Sequence, residues 1–101
     1  MTINRLDYEL AGVKVIDKVL KHKTSGKKAG TKYYRLNISA ESKPEIKYID
    51  AYQDKLGLAG KVSQEQMWND IIDSNYIDKR YLFYYRYGAY SSMELIGWRE
   101  L

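Results

Sequence analysis

The chain has no cysteine, a single histidine (His22) and a single proline (Pro44). Without thiols there is no disulfide, no thiolate metal site and no cysteine nucleophile, and such usage fits a reducing compartment, so a cytoplasmic location is expected. One imidazole and no thiol leave too few nitrogen and sulfur ligands for a zinc centre, and no cofactor is expected. Long apolar runs are also missing. The longest are a few residues interrupted by Tyr, too short to span a bilayer, so no membrane partner is expected. Met1 to Asp7 lacks the apolar core and small-residue cleavage pattern of a secretory leader. Acids are absent from one long segment: Lys18 to Arg35 holds Lys18, Lys21, Lys23, Lys27, Lys28, Lys32 and Arg35 and no Asp or Glu.

What is present is ordinary for a globular domain. The 101 residues are 45% hydrophobic and 30% charged, which suits one compact domain over 1–101 and excludes wholesale disorder. Eleven Tyr against one Phe lean towards half-exposed sheet faces and a β-rich fold. The net charge is only +4, so the basic segment stands against a net acidic remainder. Local basicity of that kind is the footprint of a polyanion partner.

Tyr8 to Lys21 reads as a long strand whose apolar alternation slips at Gly12, the mark of a bulge or sharp bend. Thr24 to Gly30 is a glycine-punctuated turn. Thr31 to Ile38 alternates cleanly, with Tyr34, Leu36 and Ile38 on one face and Tyr33, Arg35 and Asn37 on the other. After Pro44, Glu45 to Tyr52 reads as a third strand of undetermined register. Ser63 to Ser74 is the one good helix: Ser63 and Gln66 match a capping box, Val62 and Met67 a hydrophobic staple, and Met67, Trp68, Ile71 and Ile72 share a face. Tyr81 to Tyr87 and Met93 to Trp98 are the fourth and fifth strands, with Gly97 placed for a second bulge.

This order, a long bent first strand (LAGVKVIDKV), a basic loop (KHKTSGKKAG), an aromatic second strand (KYYRLNI) and a helix between strands three and four, resembles the OB-fold over residues 8–101. The resemblance implies a mainly β, five-stranded Greek-key barrel that binds oligonucleotides on strands two and three and with the loops joining strands one to two and four to five. The candidate contacts follow residue by residue. Lys21, Lys23, Lys27, Lys28 and Lys32 would track phosphates from the loop. Tyr33 would stack on bases from an exposed ring, and Arg35 would stack or grip a phosphate bidentately. Lys47 or Tyr48 would extend that platform, and Arg86, Tyr87 and Tyr90 would form the loop opposite.

Each has a plainer alternative. Lysines at a hairpin tip also discourage edge pairing, and tyrosines also pack across strands. Of the rings in Tyr81, Phe83, Tyr84, Tyr85, Tyr87 and Tyr90, half are expected inside the barrel, and helical Trp68 is expected to plug one end. Carboxylates such as Asp50 with Asp54 or Asp70 with Asp73 meet no nucleophile or oxyanion donor, so no reaction can be assembled. The expectation is therefore a non-enzymatic binder of single-stranded DNA or RNA. The alternative is a protein-interaction module, with a protein partner or self-association through Tyr-rich surfaces.

Overall fold

The computed structural model describes residues 7–24, 26–27, 29–88 and 91–101. Five strands and one helix appear in the expected order: β1 (Tyr8–His22), β2 (Lys32–Ala40), β3 (Tyr48–Ala51), a single 3-10 turn (Gln53–Lys55), α1 (Gln64–Ile72), β4 (Tyr81–Tyr87) and β5 (Met93–Glu100). The largest departure is β3, which begins at Tyr48 rather than Glu45. Pro44 has no N–H to offer a ladder, and the chain around it turns instead, with the Ile46 amide donating to the Lys43 carbonyl at 3.0 Å. No helix among the described residues is long and apolar enough to cross a membrane.

The strands form a closed ring in the order β1-β2-β3-β5-β4, antiparallel throughout except for the β3–β5 pair. Closure depends on β1, which pairs with β4 through its first residues and with β2 from Val13 onwards. The handover lies at Gly12, where φ is +64° and the register against β4 shifts between Leu10 and Val13. A side chain here would also collide with Glu41, whose Cβ lies 2.9 Å from where a Gly12 Cβ would stand. Gly12 therefore satisfies both a left-handed backbone and a close approach. The second bulge expected near Gly97 is also present, as a register shift opposite Tyr84 and Tyr85.

The ring is filled by Leu10, Val13, Val15, Leu36, Ile38, Ile49 and Leu95 together with Tyr81, Phe83, Tyr85 and Trp98. Tyr81 stacks on Trp98 with centroids 4.5 Å apart, so aromatic rings supply bulk that few Leu and Ile could. Helix α1 adds Met67 and Ile71 to this core. Trp68 packs against this core but is only half-buried, 5.4 Å from Tyr34, which is likewise half-buried at its margin. Ile72 is 43% exposed. Met67 and Ile71 stand one turn apart and take the buried stripe, and Trp68 and Ile72, each one residue further, rotate about 100° away from it.

Both helix ends are capped. The Ser63 hydroxyl accepts from the Gln66 amide at 3.1 Å, but the Gln66 side chain donates to Asp70, so only half of the capping box forms. At the C-terminus the Lys18 ammonium donates to the carbonyls of Ile71 (2.8 Å) and Ile72 (2.5 Å) and to Ser74 Oγ (2.9 Å). A cation on the last carbonyls is the favourable pairing for a helix end. The first lysine of the basic segment is thus structural. Lys18→Ala is expected to cost about 1–2 kcal/mol, read as a lowered denaturation midpoint.

Burial pushes the phenols of Tyr81 and Tyr85 up to about 12, from the ordinary 10.0. A group whose folded value is raised contributes stability that is complete below its unfolded value and lost as pH rises through the folded one. Stability is therefore expected to hold to about pH 10 and fall between about 10 and 12. Tyrosinate absorbance followed alongside unfolding should show the two changes together.

Candidate nucleic-acid interface

The outer face of β1, β2 and β3 collects most of the expected residues. Pairing sets Lys21 opposite Tyr33, Val19 opposite Arg35 and Asp17 opposite Asn37; on the other side Arg35 faces Asp50 and Asn37 faces Tyr48. The undetermined register of strand three is thereby resolved. Tyr48 joins this face and is 46% exposed, while Ile49 turns into the core. Lys47 is exposed just before β3, where its carbonyl accepts from the Ile38 amide at 2.9 Å.

Two expectations change at the centre of the face. Tyr33 is not an exposed ring: it is 8% exposed and stacks on Tyr52, centroids 4.5 Å apart and planes 25° from parallel. Tyr52 leaves the ladder after Ala51 and folds over Tyr33, a contact that a strand continuing straight through Tyr52 would not make. Arg35 is not free to grip a phosphate. Its Nε donates to Asp50 Oδ1 at 2.8 Å and its Nη2 to Oδ2 at 3.3 Å, which raises its pKa further, and its guanidinium lies 4.1 Å from the Tyr48 ring centroid. Asp50 is 2% exposed and turns to Arg35 rather than pairing with Asp54. The fork–carboxylate pair fixes the guanidinium against the Tyr48 ring, a two-point grip that only Arg can make.

The row continues round the ring. Asp50 stands beside Glu94 in the parallel β3–β5 pair, and Glu94 faces Arg86 across β5 and β4. Arg35, Asp50, Glu94 and Arg86 therefore lie in one register row across four strands. Arg86 and Tyr87 belong to β4 rather than to the loop after it, and Arg86 Nε donates to Asp7 at 2.5 Å. Glu94, 9% exposed, pairs with Lys55, with Nζ 3.3 Å from Oε1.

The lysines frame this face. Lys21 is half-buried at the end of β1, Lys23 places its ammonium 5.7 Å from the Tyr52 centroid, and Lys27 is exposed at the hairpin tip. Lys32, exposed at the start of β2, lines a 370 Å³ cleft with Thr31, Gln53, Asp54 and Gln64. Lys28 and Tyr90 lie outside the described residues. Beside the cleft is a 220 Å³ cavity lined by Lys23, Thr31, Tyr52, Asp54, Lys55 and Glu94. Burial, the neighbouring Tyr33 and the acids Asp50 and Glu94 push the Tyr52 phenol up to about 12.

The sequence does not single out Tyr52, Lys55 or Glu94, and offers Asp50 only as a carboxylate near Asp54. The available signal was cross-strand charge pairing, Arg35 against Asp50, which requires the β2–β3 register to be known. Comparison with family models, curated proteins and solved structures finds no match for this chain.

Two substitutions test this geometry. Tyr33→Ala removes a ring covered by Tyr52 and is expected to cost about 3 kcal/mol, rather than the negligible cost of an exposed ring. Arg35→Ala strands the buried Asp50 carboxylate and is expected to cost on the order of 3 kcal/mol, much of it recovered when Asp50→Leu is added. Chemical denaturation of the two single variants and the double variant reads all three values.

Proposed function

We propose that the chain is an OB-type Greek-key barrel that binds single-stranded nucleic acid in the cytoplasm, acting by charge and stacking without catalysing a reaction. The ring order β1-β2-β3-β5-β4 with its parallel β3–β5 pair supports the fold reading. One observation carries the function: the acid-free hairpin ends beside a sheet face that presents an exposed Tyr48 ring backed by Arg35.

The division of labour follows from the contacts. Lys23, Lys27, Lys28 and Lys32 meet phosphates and release counterions, which gives affinity without sequence preference. Tyr48 supplies the stacking surface, because its ring is open while that of Tyr33 is covered. Arg35 orients Tyr48, and the Tyr33–Tyr52 stack is a rigid floor. Lys21, Lys47 and Arg86 flank the path as secondary contacts, and Tyr90 is assigned with them from the sequence alone. A protein-interaction role is the second reading, favoured by Tyr8 and Tyr87, exposed rings 5.2 Å apart whose neighbouring cation, Arg86, is already held by Asp7.

Salt-titrated binding of a labelled single strand tests the proposal. Replacing Lys23, Lys27 and Lys32 with Ala is expected to flatten the log K against log salt slope by about 0.7 per lost contact. Tyr48→Ala is expected to weaken binding by about tenfold, within the range for one lost stacking ring. No binding at low salt, or binding indifferent to all four substitutions, would transfer the function to the protein-interaction reading.

A further inference from the structure

The 220 Å³ cavity between the hairpin, the 3-10 turn and β5 has a composition that a phosphate-binding role does not explain. Its lining holds two ammonium groups, Lys23 and Lys55, and two carboxylates, Asp54 and Glu94, so its formal charges cancel. A site of zero net charge next to a basic hairpin suits an uncharged occupant, with Lys23 shared between this site and the phosphate path. The volume lies below the roughly 300–1,000 Å³ of drug-sized ligand sites, in proportion to a single flat ring system. Tyr52 is in the lining, held in place by its stack on Tyr33, with the flexible Lys23 ammonium 5.7 Å from its ring centroid. Rings on such walls stack on rings.

We propose that this cavity is a guanine-reading pocket, which holds one base of the bound strand by its Watson–Crick edge; the proposal rests on the single-strand reading above. The deciding feature is the Glu94–Lys55 pair. Glu94 is an acceptor only, with lone pairs to spare beyond its 3.3 Å contact with Lys55, and Lys55 is a donor only. The wall therefore presents an acceptor pair beside a donor. Guanine alone among the bases offers the complement, with the N1–H and N2–H donors adjacent and the O6 acceptor next to them. Adenine and cytosine each set one amino donor beside a ring-nitrogen acceptor. Thymine and uracil flank their single N–H with two carbonyls, which the carboxylate repels. Single-stranded bases are commonly read in this way, stacked on an aromatic ring and bonded along this edge.

Glu94 is held where it can do this by its neighbours. Its Oε2 lies against Gly88, where an added Cβ would stand 2.1 Å from that oxygen. The absence of a side chain at Gly88 therefore makes room for the carboxylate in its observed position. Gly88→Ala displaces the flexible end of Glu94 rather than any backbone, so it disturbs the pocket without breaking the fold.

The test uses the full chain and anisotropy of labelled strands of about 12 nucleotides, within the range of OB-type site sizes. One strand is all thymidine, one carries a single central guanosine, and one carries inosine there, which lacks the N2 amino group. Guanosine 5′-monophosphate serves as a free competitor. The guanosine strand is expected to bind about tenfold more tightly than the all-thymidine strand, with the inosine strand between them. In Glu94→Gln, which adds a donor, and in Gly88→Ala, the guanosine-to-thymidine ratio is expected to fall towards one, with thermal melting confirming that both variants are folded. Equal binding of all three strands by the native protein would overturn the pocket and leave the single-strand reading standing. Failure of every strand to bind would overturn that reading as well. Competition by the free nucleotide at the strand's own affinity would overturn the assignment to a base within a strand.

Discussion

Closure of the sheet requires one strand to serve two partners, and the conformation at Gly12 makes that possible. With φ at +64° and no side chain to strike Glu41, β1 bends so that Tyr8 to Val13 pair with β4 while Val13 to His22 pair with β2. An L-residue there would carry both backbone strain and a clash. The hairpin, the outer face of β2 and the row that runs from Arg35 to Arg86 all inherit their positions from this bend. Losing it would open the sheet and scatter the charged row across separate edges.

The chemistry of the outer face follows from charges already satisfied within the protein. Asp50 occupies Arg35, Glu94 occupies Lys55 and Asp7 engages Arg86. What the face offers to a strand is therefore ring surface and hydrogen-bonding edges, and the uncommitted positive charge lies on the hairpin. In the proposed binding mode, phosphates and bases meet different parts of this surface. That separation suits a chain threaded with its backbone along the lysines and its bases turned towards Tyr48 and Tyr52.

Much of this was legible in the sequence because periodicity and glycine placement are local signals. The five strands, the helix start at Ser63 and the bend at Gly12 all follow from them. That half of the strand-four rings turn inward follows too, but which half, Tyr81, Phe83 and Tyr85, depends on a register that alternating aromatics on both faces do not reveal. What escaped was every property that depends on which strand lies beside which. Tyr33 reads as exposed by alternation alone and becomes buried because Tyr52 folds over it. Arg35 reads as a free cation and becomes a bridge because β3 sets Asp50 opposite. Lys18 reads as part of a polyanion patch and becomes a helix cap because α1 ends beside β1, more than fifty residues away in sequence. In each case a tertiary partner redirected a residue whose local signal was correct.

The central claim is that a single strand lies across β2 and β3 with its phosphates on the hairpin. Backbone amide chemical shifts recorded during titration with an unlabelled single strand test it most directly, because they report location as well as affinity. The expected result is a set of changes concentrated in residues 21–35 and 47–55 with Gly88 and Glu94, and silence around Tyr8. Changes centred on Tyr8 and Tyr87, or none at any ratio of strand to protein, would contradict it.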